Sequence, residues 1–106
     1  MSLNEQLRDL RDLQAQEKTL AAQAFKLKQE RDTVYDLKQA ALDDLSAALD
    51  DPDVSMSDVA ARTATYRNFV NEHDAVNGQV VEVDDNRLAQ VRQKIASLKT
   101  QIMRGQ

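Results

Sequence analysis

Two constellations in this 106-residue chain carry side chains able to do chemistry. The first is Glu72-His73-Asp74, a general base or metal ligand with a carboxylate on either side. Neighbouring residues on a helix point about 100° apart, so the three cannot converge on one ion or one proton. His73 also falls on an apolar stripe, which predicts a partly buried histidine hydrogen-bonded across a helix pair. The second constellation is the acidic run Asp43, Asp44, Asp50, Asp51, Asp53 and Asp58, with no Lys or Arg between Lys38 and Arg62. A calcium loop needs oxygen ligands at alternating positions, a central Gly and a closing Glu. None of that spacing is present, so the run predicts a solvated, acidic helix end that can dock on a basic surface.

The remaining chemistry is excluded by composition. With no Cys and one His, thiol catalysis, disulfide scaffolds and multi-histidine or cysteine metal sites have no residues to use. There is no glycine-rich phosphate loop and no Gly-x-Ser-x-Gly elbow, so no catalytic residue, metal, cofactor or small-molecule substrate is expected. A net charge of −4 argues against nonspecific nucleic-acid binding. No apolar run approaches the roughly 18 residues of a membrane span, and no signal-peptide pattern opens the chain. The expected setting is the cytoplasm, or a virion or other assembly.

The elements that position these residues are helices. Only two Gly and one Pro occur, and from Leu3 to Asp50 there is neither. The helix formers Leu, Ala, Gln, Lys, Arg and Glu dominate that stretch. Apolar residues recur at Leu10, Leu13, Leu20, Ala24, Leu27, Val34, Ala41, Leu45 and Ala48, in steps near three and four once one polar position is counted within each step of seven. That is the seam of a coiled coil. Ser2 with Glu5 and Ser55 with Asp58 are capping signatures. Pro52 disfavours helical geometry at Asp51. These signals predict an all-α, antiparallel two-helix hairpin as a single domain, with helix 1 over about 3–50, a turn at 51–55 and helix 2 over about 56–103. Each helix would be about 70 Å long at 1.5 Å per residue.

The second helix carries Val59, Tyr66, Phe69, Val70, His73, Val76, Val80, Val83 or Asp84, Leu88, Val91, Ile95, Leu98 and Ile102. Its steps through Val76, Val80, Asp84 and Leu88 run 4-4-4, a stutter that unwinds a left-handed supercoil. A rival reading breaks this helix at 77–85, where Asn77-Gly78 is a turn dipeptide and Val80-Val81-Glu82-Val83 favours strand. The continuous helix is preferred because Val76, Val80 and Leu88 keep helical phase, with Gly78 as the expected weak point.

Three seam positions of helix 1 are polar: Glu17, Arg31 and Lys38. A register pairing residues whose numbers total about 106 sets Glu17 against Arg87, and Arg31 against Asp74 or Glu72. Beside the seam runs a further column, Leu7, Ala21, Tyr35, Leu42 and Leu49, and Phe25 lies off both. An apolar face that wide suits a bundle helix rather than a lone hairpin. The expectation is a bundle completed by self-association or by another protein. Leu7, Phe25, Tyr35, Leu42 and Leu49 are the candidate contact residues, with Asp43, Asp44, Asp50, Asp51 and Asp53 as an acidic docking feature. Two functional classes follow. One is a non-enzymatic structural or assembly subunit of bacterial or phage type. The other is a small acidic regulator that inhibits a larger complex by docking on it.

Overall fold

The computed structural model describes residues 2–105 and is an all-α helical hairpin, with no strand among them. Helix α1 spans Leu3–Leu49 and α2 spans Met56–Val80. The chain then continues without a break through a π-helical segment, Val81–Leu88, into α3, Ala89–Arg104.

The helix ends follow from side-chain chemistry. Ser2 Oγ accepts the Glu5 backbone N–H at 3.2 Å, and Ser55 Oγ accepts that of Asp58 at 3.0 Å. Each satisfies one donor that the first helical turn leaves open. Between α1 and α2 the backbone reverses around Pro52. Asp51 Oδ1 accepts the Asp53 N–H at 2.9 Å, and the Asp51 carbonyl accepts the Val54 N–H at 3.2 Å. The Asp51 carboxylate therefore helps to build the turn.

Two compact units make up the chain. The terminal unit joins the residues up to Lys26 to those from Val80 onward, and the turn unit is Leu27–Gln79. In the turn unit the helices pair antiparallel: Asp44 meets Arg62, and further from the turn Tyr35 meets His73. Val34, Ala48 and Val76 are buried there. In the terminal unit Glu17 of α1 meets Arg92 of α3 at 3.3 Å. Ala24, Val80, Val83, Leu88, Val91 and Ile95 form its core.

The π segment has a readable cause. The buried positions Val76, Val80 and Val83 keep three-four spacing, and so do Leu88, Val91 and Ile95. Between Val83 and Leu88 the step is five, one residue too many for a heptad. In α geometry, residues five apart point roughly 140° from each other. A π winding closes its hydrogen bonds over five residues instead of four, which brings that pair onto one face. Val83 is accordingly 4% exposed and Leu88 2%. The second helix is thus not broken at 77–85. Asn77 and Gly78 lie inside regular α2, and the irregularity begins at Val81.

Candidate docking surface

Tyr35, Leu42 and Leu49 sit one heptad apart on α1, on the flank of the seam. Leu49 is 61% exposed, Tyr35 45%, and Leu42 is half-buried. All three belong to the turn unit. Tyr35 is also held from within: its ring lies 5.8 Å from that of His73 at a tilt of 54°, and Lys38 Nζ lies 5.1 Å from the ring centroid. The aromatic and cation–π geometry fixes its orientation. Leu7 and Phe25 belong to the terminal unit. Leu7 is half-buried, and Phe25 is 64% exposed.

The carboxylates divide in two. Asp44 accepts a hydrogen bond from Arg62 Nη1. Arg62 Nε, shielded from solvent, lies 3.3 Å from Asp58 Oδ2 as an ion pair without hydrogen-bond alignment. The hydrogen bond to Asp44, then the Asp58 carboxylate, hold the Arg62 guanidinium above its ordinary pKa. Asp44, Asp51 and Asp58 are thereby committed to the fold. The carboxylates of Asp43, Asp50 and Asp53 are exposed and make no ion pair or hydrogen bond among the described residues. The turn unit holds five Lys and Arg against eleven Asp and Glu, a net charge of −6. The terminal unit holds nine against seven, a net of +2.

The polar seam residues pair differently from the expected register. Glu17 meets Arg92, and Arg87 instead reaches Glu82 Oε1 at 3.2 Å. Arg87 is exposed within the π segment, where Glu82, five residues earlier, lies within its reach. Arg31 Nε lies 3.8 Å from Asp32 Oδ1 rather than against Asp74 or Glu72, because the adjacent carboxylate is reached without crossing to α2. His73 makes an aromatic contact with Tyr35 in place of the expected hydrogen bond.

Sequence reasoning passed over two exposed apolar residues of the turn unit, Leu37 and Met56. Leu37 lies on the other flank of the seam, next to Lys38, a position the three-four pattern alone reveals. Met56 opens α2 and has no preceding turn to cover it.

The surface hollows are shallow. The one of about 410 Å³ is lined by Gln90, Gln93, Lys94, Ser97, Leu98 and Gln101, all from α3. A hollow walled by one helix cannot enclose a ligand. Among the described residues no three His, Asp or Glu side chains group to hold a metal ion, and no helix is long and apolar enough to cross a membrane. Comparison with protein-family models, with curated proteins and with solved structures finds no match.

Proposed function

We propose that the protein is non-enzymatic and acts by protein–protein contact, as a structural or assembly subunit that docks through Tyr35, Leu42 and Leu49. The observation that carries this reading is the exposure of Leu49 in heptad line with Leu42 and Tyr35. Scattered surface leucines need no explanation, but a column at heptad spacing is the pattern of a helix awaiting another helix. Burying each of these side chains stabilises an association by about 1.5–3 kcal/mol. Exposed ion pairs at Asp43, Asp50 and Asp53 add at most about 1 kcal/mol each and are screened by salt. Apolar contact therefore sets the affinity, and charge sets orientation and encounter rate.

The test compares wild type with Leu42→Glu/Leu49→Glu, by light scattering and by mass spectrometry of what co-purifies from the native cell. The double variant is expected to keep its helicity and lose its association. A strictly monomeric wild type, together with a double variant that retains every co-purifying partner, overturns the proposal. A second reading rests on the −6 charge of the turn unit: a small acidic regulator presenting carboxylates where a target expects phosphates. It is favoured if Asp43→Asn/Asp50→Asn/Asp53→Asn releases a foreign target and Leu42→Glu/Leu49→Glu does not.

A further inference from the structure

The terminal unit carries a second exposed column at the same spacing. Ala89, Ala96 and Met103 lie one heptad apart along α3, and all are exposed, Met103 by 70%. Arg92 and Lys99 each follow a column alanine by three residues, the next position along that face of the helix, and Arg104 adjoins Met103. No acidic residue occurs in α3. Arg92 is engaged by Glu17, while Lys94, Lys99 and Arg104 make no ion pair among the described residues.

The two columns are complementary in three respects. Both have three members at a seven-residue pitch, so they match along their whole length. One offers large side chains, Tyr35, Leu42 and Leu49. The other offers Ala89 and Ala96, where a facing helix can approach closely and seat a leucine between turns. Asp36, Asp43 and Asp50 each follow a member of the large column by one residue, whereas the small column is bordered by Arg92, Lys99 and Arg104. Two turn units facing each other would bring together −6 and −6, which repel. A turn unit facing α3 brings together opposite charges.

Building on the docking role of the Tyr35–Leu42–Leu49 column, we propose that its occupant is a second copy of this chain, which presents the Ala89–Ala96–Met103 face of its α3. The contact is heterologous, since each copy gives one surface and receives the other. Such a contact propagates into a ring where the rotation closes and into an open chain where it does not.

The experiment mixes two full-length variants, each with one surface broken: Leu42→Glu/Leu49→Glu, and Ala96→Glu/Lys99→Glu. Circular dichroism checks that both keep wild-type helicity, and Leu49→Glu alone replaces the first variant if Leu42→Glu unfolds it. Sedimentation velocity is then run on wild type, on each variant and on the equimolar mixture. Wild type is expected to grow past two chains as concentration rises, and to weaken about tenfold between about 50 and about 500 mM salt. Each variant alone is expected to be monomeric. The mixture is expected to stop at one dimer, joined by the single intact column and the single intact α3 face. Continued growth of the Ala96→Glu/Lys99→Glu variant overturns the proposal, because the column is then meeting some surface other than α3. A monomeric wild type whose Leu42→Glu/Leu49→Glu variant loses a foreign partner overturns the self-contact but leaves the docking role standing. A monomeric wild type with no partner sensitive to that variant overturns both.

Discussion

The terminal unit and the turn unit are paired helices cut from the same apolar pattern, yet they bury it unequally. Of the nine buried apolar side chains among the described residues, six lie in the terminal unit and three in the turn unit. The cause is what fills the positions between. In the terminal unit the returning side of the seam is Val80, Val83, Leu88, Val91 and Ile95, an uninterrupted apolar run. In the turn unit the returning side includes Arg62 and His73, both half-buried, and the α1 side adds Arg31 and Lys38, where the terminal unit has the one polar seam residue Glu17. Long polar side chains in such slots bury their stems and leave less room for fully buried apolar residues. A three-four pattern therefore fixes which way residues point, not how deeply they are buried. The unit that closes its seam buries more of its apolar pattern, and the turn unit leaves Leu37 and Leu49 exposed on its flanks.

The largest expected effect tests that division. Leu88 is the most buried side chain, so Leu88→Ala should cost about 3–4 kcal/mol, within the range of buried leucine truncations. Leu27 occupies a seam position of the turn unit but is only half-buried, so Leu27→Ala should cost about 1–2 kcal/mol. Urea unfolding followed by circular dichroism measures both. Equal costs would mean that the two units are packed alike, and the comparison would fail.

Removing one residue sharpens the comparison at its boundary. Deleting exposed Asp85 restores a four-residue step between Val83 and Leu88, so that three-four spacing runs unbroken from Val76 to Ile102. The π segment should then wind as α helix, and stability should rise by about 1 kcal/mol. Carbon chemical shifts and hydrogen exchange across the segment report the winding, and the unfolding midpoint reports the stability. A loss of about 1 kcal/mol or more would show that the longer turn holds Val83 and Leu88 better than α geometry can.

The seam and the caps were legible in the sequence because both are local. Every seam position named on α1 is buried or half-buried, from Leu10 through Ala48, and Ser2 and Ser55 cap as their spacing requires. Pairing across the helices was less legible, since it depends on accumulated phase. Glu17 meets Arg92, five residues beyond the expected Arg87, and Tyr35 with His73 already departs from a fixed numbering total before the π segment begins. The 4-4-4 spacing signalled a disturbance there, but spacing alone does not choose between a slow unwinding and a single wide turn. Among the contact candidates, the column was visible as a pattern. The internal engagement of Tyr35 with His73 was not, because it requires knowing which face of α2 comes opposite.

The smallest effect probes the turn unit near its end. Gly78 lies in regular α2 without a positive φ, and a Cβ built on it meets nothing within 4 Å. Ala at that position adds no clash, restricts the unfolded chain and removes the helix penalty of glycine. Gly78→Ala should therefore stabilise by about 0.5–1 kcal/mol. The place of the gain matters as much as its size. If the turn unit is the less stable of the two, it opens below the global unfolding limit, and amides of α2 exchange through that local opening. Stiffening α2 should then slow exchange at α2 amides by about threefold to fivefold, while amides of α3 around Val91 and Ile95 change little. Uniform slowing across α2 and α3 would instead mean that the units open together, and that the unequal burial of their seams has no counterpart in their stability.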